Sequence, residues 1–201
     1  MIIFIKINYE VINIMKRVAK FEKVSFEIFK ESMFKQPWFV SYKNDLTGVL
    51  SDEIMNEIIE PFLKQCYDNI KLPNRATKGS AGYDFYAPTN FTIPDDGTSV
   101  IIPTGIRCNM EEGYVLSIYP RSGMGFKYRV SLDNTVGIID QDYYYADNEG
   151  HIMIKLHSGV NEKIDIKEGT AFAQGLLSEF CITIDDDADG IRTGGFGSTS
   201  K

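Results

Sequence analysis

The sequence predicts an all-β sandwich or barrel that follows an N-terminal segment of mixed helical character. From about residue 76 onward, Gly, Pro, Asn and Asp separate short apolar runs, as they do between the strands of a β-protein. In one run Ile152, Ile154 and Leu156 alternate with Met153 and Lys155, which places the apolar side chains on one face of a strand. Short strands at regular spacing are typical of sandwiches and barrels.

Residues 1–70 have a different pattern and form a predicted N-terminal extension of unknown role. Behind Ser51, a possible helix cap, apolar residues recur at helical spacing. They are Ile54, Ile58, Ile59, Phe62, Leu63 and Cys66. Pro61 is expected to kink or split this helix. The extension contains no cluster of catalytic side chains, so we expect it to pack against the β-domain or to form an interface.

Composition and charge narrow the class of protein. With 201 residues the chain is long enough for one compact domain and an extension. Its formal net charge of -7 argues against a nucleic-acid partner, because such proteins usually present a basic face. The three cysteines are too few and too scattered for disulfides, so we expect buried thiols and a cytoplasmic protein.

The opening residues 1–14 are apolar, but their pattern does not predict a membrane segment. Lys6 and Glu10 interrupt them, no small-residue cleavage site follows, and they are too short to span a bilayer. We therefore expect no membrane association. We also expect a chain that starts at Met15 to fold and function, because the preceding residues read as dispensable.

The other end of the chain is polar. Residues 185–190 are an acidic, turn-forming run that predicts a solvated linker. Residues 191–201 are rich in Gly, Ser and Thr and are expected to form a mobile tail that closes over an anion. The predicted division is therefore an extension over 1–70, a β-domain over 71–190 and a tail over 191–201.

Five short segments combine glycine with polar side chains and carry the candidate chemistry. Residues 79–87 place the carboxylate of Asp84 at the start of a strand. Residues 120–125 offer a guanidinium, a hydroxyl and glycine-exposed N–H groups, which suit a polyphosphate as well as a structural turn. Residues 134–143 bring together an amide that can read a base edge, a carboxylate and an aromatic ring.

The last two segments lie near the C-terminus. Residues 171–175 set Gln174 in an apolar run, where a satisfied core glutamine is the alternative to a binding role. Residues 192–199 have the character of a loop that cradles phosphate, with Phe196 available to stack on a base. This loop lacks the lysine of a P-loop, so a Walker-type NTPase is not supported.

Taken together and in this order, the five segments resemble the five motifs of the trimeric dUTP pyrophosphatase (dUTPase) family, over residues 71–201. The resemblance implies a jelly-roll-like β-barrel or sandwich that forms a homotrimer, with three active sites shared between chains. It implies hydrolysis of dUTP to dUMP and pyrophosphate by in-line attack of water on the α-phosphorus. This activity limits uracil incorporation into DNA and supplies dUMP for dTMP synthesis.

The resemblance also implies roles for individual residues. Asp140 is similar to the carboxylate that activates the attacking water, and Asp84 to an acid that supports the site. Asn134 and Gly137 match the hairpin that reads uracil, and Tyr143 matches the ring that packs under the deoxyribose and excludes a 2′-hydroxyl. The positions that match contacts to the phosphates are Arg121, Ser122, Gly123 and Gln174. The tail residues that match contacts to the nucleotide are Arg192, Phe196, Gly197, Ser198 and Thr199.

The expected cofactor is Mg²⁺, which the family holds mainly through the triphosphate and water. The sequence agrees, because it contains no cluster of His, Asp and Glu at metal-ligand spacing. The chain departs from the family pattern after Tyr143, where residues 144–148 enlarge a hairpin that is commonly tight.

Two alternatives share the predicted fold. A dCTP deaminase resembles these proteins, but its alanine-arginine pair and its glutamate base do not appear beside Arg121. A binding or regulatory protein, in which residues 1–70 dock an unknown protein partner, would have no need of the full set of polar residues.

Overall fold

The computed structural model of the chain describes residues 15–41, 52–192 and 194, and only the backbone of residues 52–56. Within these ranges the chain forms eleven strands. They are β1 (Ala19–Lys23), β2 (Tyr83–Tyr86), β3 (Phe91–Ile93), β4 (Val100–Pro103), β5 (Ile106–Met110), β6 (Tyr114–Pro120), β7 (Ser131–Leu132), β8 (Gly137–Ile139), β9 (Met153–His157), β10 (Ile164–Ile166) and β11 (Ala171–Glu179). The helices are α1 (Phe26–Phe34), α2 (Asp52–Asn69) and α3 (Ser122–Tyr128), with a 3-10 helix over Gln141–Tyr145 and a short helical segment over 37–41.

All strand pairs described are antiparallel. A four-stranded sheet has the order β2-β11-β6-β8, and a three-stranded sheet has the order β4-β9-β7. Two further pairs, β1-β5 and β10-β3, complete the strand pairing. Most neighbours are not consecutive in the chain, as in jelly-roll and other Greek-key proteins. The predicted all-β fold is therefore confirmed.

The alternating pattern that predicted the β-fold corresponds to the burial of side chains. Ile152, Ile154 and Leu156 are fully buried, whereas Met153 is half-buried and Lys155 is exposed. These residues lie at or beside β9, in the middle of the three-stranded sheet. Burying an aliphatic side chain contributes about 1.5–3 kcal/mol, so this face of β9 is a main source of stability.

The predicted extension packs on the same core as the strands. β1 pairs with β5 over five residues, from Ala19 opposite Met110 to Lys23 opposite Ile106. Helix α1 begins after Ser25, whose hydroxyl accepts a hydrogen bond from the N–H of Ile28, and it buries apolar side chains against the core. Buried apolar residues of the extension are Val24, Phe29, Met33, Phe39, Ile59, Leu63, Cys66 and Ile70.

Helix α2 continues through Pro61, so the expectation that this residue would split the helix was wrong. An interior proline costs about 3 kcal/mol. The helix buries Ile59, Leu63 and Cys66 nearby, and together these side chains outweigh that cost at about 1.5–3 kcal/mol for each large one. Ile58 points outward and is 51% exposed. The predicted cap Ser51 lies outside the described residues.

The cysteines only partly follow the prediction that all three are buried. Cys66 and Cys108 are buried, and burial raises the pKa of the Cys108 thiol to about 12. Cys181 is exposed, because β11 ends at Glu179 and the chain beyond it leaves the core. Residues 181–190 are all exposed, which agrees with the predicted solvated linker.

In the part of the chain described here, no helix is both long and apolar enough to cross a membrane. Residues 1–14, which carried the expectation of a dispensable N-terminus, lie outside the described residues.

Candidate active site

A first cluster of polar residues forms where β2, β6 and β11 lie side by side. Asp84 of β2 is directly opposite Gln174 of β11. Arg121 follows the last residue of β6, and its Nε lies 3.1 Å from Oδ1 of Asp84. The Gln174 side chain donates a hydrogen bond from Nε2 to the carbonyl of Pro120 at 3.1 Å. Asp84 and Gln174 therefore hold the turn that presents Arg121.

Arg121 and Gln174 of this first cluster, together with Ser122, line an open cleft of about 850 Å³. Arg121, Ser122 and Gly123 are exposed at the start of α3, where the first turn leaves N–H groups without partners in the helix. Gly82 borders the cleft beside Gln174, and a Cβ on Gly82 would lie 2.6 Å from the side-chain oxygen of that residue. A glycine is needed at position 82 for Gln174 to occupy this place.

A second cluster forms along the turn that connects β7 to β8, along β8 itself and in the 3-10 helix that follows. Asn134 is exposed in the turn, and Gly137 lies against Ile118, where a Cβ would approach within 3.1 Å. Both residues border a pocket of about 270 Å³, whose other lining residues are mostly apolar. Asp140 is exposed at the end of β8, where the chain enters the 3-10 helix.

Tyr143 is the buried member of three consecutive tyrosines. It is 2% exposed, whereas Tyr144 is half-buried and Tyr145 is 71% exposed. The Tyr143 hydroxyl donates to the carbonyl of His151 at 2.7 Å and accepts from Nδ2 of Asn148 at 2.8 Å. Burial raises the pKa of this phenol. The Tyr143 ring is therefore held in one position beside Asp140.

Arg192, at the start of the tail, lies on the second cluster. Its Nη1 is 2.7 Å from Oδ2 of Asp140 and 3.2 Å from Oδ1 of Asp142, and its guanidinium carbon is 5.0 Å from the centre of the Tyr143 ring. Burial alone would lower the pKa of Arg192, but the bonds to the two carboxylates raise it, so the guanidinium stays charged.

The four other tail residues expected at the site, Phe196, Gly197, Ser198 and Thr199, lie outside the described residues.

Within one chain Asp140 and Arg121 lie toward opposite ends of β6. In the register of β6 and β8, Ile118 is opposite Gly137 and Leu116 is opposite Ile139. Because the two strands are antiparallel, Asp140, which follows Ile139, lies near the beginning of β6, whereas Arg121 follows the end of β6. Leu116 and Arg121 are five residues apart, which is roughly 16 Å along a strand. A single chain thus separates Asp140 from Arg121, Ser122 and Gln174.

Sequence reasoning did not identify the residues that hold the second cluster in place. Asn148 and His151 fix the Tyr143 hydroxyl, and Asp142 shares Arg192 with Asp140. No spacing rule links positions 143, 148 and 151, because the connecting chain is irregular. A polar triplet of Asn148, Glu149 and His151 after an aromatic run was the available signal.

Comparisons with known proteins agree with this geometry. A family model described as dUTPase matches residues 68–199, a range that contains both clusters. A relative from Lactococcus lactis subsp. lactis (strain IL1403), named deoxyuridine 5′-triphosphate nucleotidohydrolase, is 39% identical over 133 residues, which cover 65% of this chain and 88% of the relative. A relative of the same name from Dictyoglomus turgidum (strain DSM 6724 / Z-1310) is 33% identical over 150 residues, 71% of this chain and 99% of the relative.

A solved structure gives the same result for the fold. The crystal structure of dUTPase from Streptococcus mutans superimposes with a TM-score of 0.52 at 34% identity, and the match covers 56% of this chain and 88% of that chain. The family match spans the strands that carry both polar clusters, and the relatives match over most of their own length. The chain belongs to the dUTPase family.

Proposed function

We propose that this chain hydrolyses dUTP to dUMP and pyrophosphate, and so limits uracil incorporation into DNA and supplies dUMP for dTMP synthesis. The two named relatives support the substrate. The observation in this chain that carries the proposal is the exposed carboxylate of Asp140, placed beside the fixed ring of Tyr143 at the end of β8.

The segment from Asn134 to Tyr143 would select the base and the sugar. The pocket beside Asn134 and Gly137 is small, at about 270 Å³, and mostly apolar, which suits a flat pyrimidine whose edge bonds to Asn134 and the backbone near it. The Tyr143 ring would pack under the deoxyribose, where a ribose 2′-hydroxyl has no room. Because both hydrogen bonds of the Tyr143 hydroxyl are internal, the ring cannot move aside easily for a larger sugar.

Asp140 would act as the general base. It takes a proton from a water molecule, the water oxygen bonds to the α-phosphorus, and the bond from the α-phosphorus to the bridging oxygen breaks so that pyrophosphate leaves. Negative charge grows on the leaving group, where the Arg121 guanidinium, the Ser122 hydroxyl and the start of α3 can stabilise it. We expect the highly charged triphosphate to draw Arg192 away from Asp140 and so to free that carboxylate.

A complete site would take its parts from different chains of a homotrimer. The separation of roughly 16 Å along β6 keeps Asp140 of one chain away from its own Arg121, and a substrate α-phosphate has to be near both. Assembly of three chains, each giving one cluster to a neighbouring site, resolves this separation and produces three equivalent sites. Residues 191–201 would then close over the bound nucleotide.

Mg²⁺ fits this arrangement as a cofactor that the substrate carries. Among the residues that the structure describes, no group of three His, Cys, Asp or Glu side chains could hold a metal ion. Mg²⁺ keeps several waters and binds readily to phosphate oxygens, so it needs no protein cage. When bound, it neutralises part of the triphosphate charge. A cytoplasmic location and the absence of a nucleic-acid partner remain predictions.

Pyrophosphate release from dUTP, UTP, dTTP and dCTP tests the proposal. We expect turnover of dUTP alone, and the same preparation of an Asp140→Asn variant provides the blank. Ammonia release from dCTP would identify a dCTP deaminase instead. Tight binding of dUTP without pyrophosphate release would identify a binding protein on the same fold.

A further inference from the structure

The chain segment that carries Asp140 and Tyr143 is bonded to the N-terminal extension at three places. We call residues 140–151 the active-site turn. The Tyr144 hydroxyl donates to Oε2 of Glu22 at 2.6 Å. The backbone N–H of Ser25 donates to Oε2 of Glu149 at 2.7 Å. Each contact joins the turn to a residue outside the range 68–199 that matches the family.

The third contact runs through His151, which is fully buried. Its Nε2 accepts a hydrogen bond from the N–H of Gly105 at 2.8 Å, so in the neutral ring the proton is on Nδ1. Nδ1 therefore donates to the Ser32 hydroxyl of α1, at 3.0 Å. The carbonyl of His151 accepts a hydrogen bond from the Tyr143 hydroxyl. His151 therefore links Ser32 of α1 to Tyr143 through two hydrogen bonds.

The active-site turn has little regular structure of its own. Its 3-10 helix is five residues long, and no side chain caps its start at Asp140. Glu149 and Gly150 both have positive φ, at 57° and 68°, a conformation that costs energy for a residue with a side chain. A segment of this kind keeps one geometry only when its surroundings impose it.

On the β1 side, Glu22 is the residue through which the extension contacts the active-site turn. It is paired directly opposite Arg107 in the β1–β5 register, and Nη2 of Arg107 lies 3.4 Å from Oε2 of Glu22. The Arg107 guanidinium carbon also lies 4.4 Å from the centre of the Tyr144 ring. Glu22, Arg107 and Tyr144 thus form a closed triangle, and Glu22 is only 25% exposed at its side chain.

Tyr144 begins the insertion of residues 144–148, which departs from the family pattern. The extension lies outside the range 68–199 that the family model matches, whereas residues 144–148 lie within it. A part of the chain that the family model does not match therefore contacts the active-site turn, next to the residue proposed to face the sugar.

We propose that residues 19–34 hold the active-site turn in its catalytic geometry, and that Glu22 and Ser32 are positioning residues for sugar discrimination at Tyr143. This inference rests on the proposed dUTP hydrolysis. Loss of these contacts lets the turn move away from the sugar, so that UTP is excluded less well and dUTP is turned over more slowly.

The test compares Tyr144→Phe, which removes only the hydroxyl that bonds to Glu22, with Tyr145→Phe as a matched control. Tyr145 is 71% exposed, so its loss of a hydroxyl should leave activity unchanged. For Tyr144→Phe and Ser32→Ala we expect kcat/KM for dUTP to fall about 2- to 10-fold, the effect of one hydrogen bond, with a lower ratio of dUTP to UTP turnover. Trimer mass and Tm, measured in parallel, show that each variant is folded.

A second pair of variants separates positioning from stability. Glu22→Ala should lower the dUTP to UTP ratio, whereas Glu22→Gln keeps an acceptor for Tyr144 and should restore most of it. The effects of Glu22→Ala and Tyr144→Phe should not add in the double variant, because both remove the same contact. An unchanged ratio in folded Glu22→Ala and Ser32→Ala would overturn the inference. A wild-type protein without dUTP turnover would instead reject the proposed function.

Discussion

Replacing Tyr143 by phenylalanine removes one hydroxyl and keeps the ring, which separates the two roles of this residue. The hydroxyl makes two buried hydrogen bonds, to the carbonyl of His151 and from the amide of Asn148. Each bond contributes about 1 kcal/mol, and a buried group left without a partner costs about 1–3 kcal/mol. We therefore expect Tyr143→Phe to lose about 2–4 kcal/mol of stability. Because the ring stays but is held less firmly, the ratio of dUTP to UTP turnover should fall by less than it does when the ring itself is removed.

Tyr143→Ala removes the ring as well. The cavity adds to the cost, and truncation of a buried aromatic side chain lowers stability by about 3–5 kcal/mol. Space then opens beside the C2′ position of the sugar, so we expect UTP to compete much better with dUTP. The two variants should thus be similarly unstable and differ in sugar discrimination.

The measurements are the free energy of unfolding in denaturant and kcat/KM for dUTP and UTP, taken where each variant is folded. Tyr145→Phe is the control, because a surface substitution usually changes stability by less than about 0.5 kcal/mol. A Phe variant as stable as the wild type would refute the hydrogen-bond reasoning. An Ala variant that still rejects UTP would show that Tyr143 does not face the sugar.

Three further predictions concern the general base, the tail and the carboxylate of Asp133. Asp140→Asn should abolish pyrophosphate release yet leave dUTP binding measurable by calorimetry, and a variant with near-normal turnover would need another base. Truncation after Asp189 should lower kcat roughly 100-fold while weakening dUMP binding far less, and an unchanged kcat would make the tail a bystander. Burial alone would raise the pKa of Asp133, but hydrogen bonds from Lys155, His157 and Ser99 hold it at about 2. The stability that this carboxylate contributes is present above pH 3.8 and is lost as pH falls toward 2. Asp133→Asn should therefore be least stable relative to wild type near neutral pH. A difference in unfolding free energy that is the same at all pH values would contradict this prediction.

The β-fold was predictable because its strands have one buried face. Ile152, Ile154 and Leu156 alternate with less buried residues, and this pattern depends only on the local geometry of a strand. The end of β11 was not predictable in the same way. In the sequence the apolar run continues through Ile184, but the strand ends at Glu179 and leaves Cys181 exposed. In the described structure no neighbouring strand pairs with the later residues.

Helix α2 shows how tertiary packing overrides a local rule. Pro61 is a reliable helix breaker in an isolated segment, but its neighbours Ile59 and Leu63 are buried against the rest of the protein. The gain from burial depends on partners far away in the chain, which no pattern within residues 52–69 reveals.

The candidate site was predictable as a set of residues and not as a geometry. Motif order identified Asp140, Tyr143 and Arg121, but it could not show that Asp140 and Arg121 lie at opposite ends of β6. The register between β6 and β8 supplies that information. The contacts from Glu22 and Ser32 to the active-site turn also depend on tertiary structure, because they join residues more than a hundred positions apart.

Activity of mixed trimers tests most directly whether one active site takes residues from different chains. Asp140→Asn chains lack the base, and Arg121→Ala chains lack the guanidinium, so each variant alone should be nearly inactive. The two are unfolded together in equal amounts, refolded, and isolated as mixed trimers through two different affinity tags. Every mixed trimer holds two chains of one variant and one of the other, so about one third of its sites have an intact pair.

We therefore expect the isolated mixed trimers to recover about one third of the wild-type rate of dUTP hydrolysis. Mixed trimers that remain as inactive as the separate variants would contradict the shared site, and would mean that Asp140 and Arg121 have to come from the same chain.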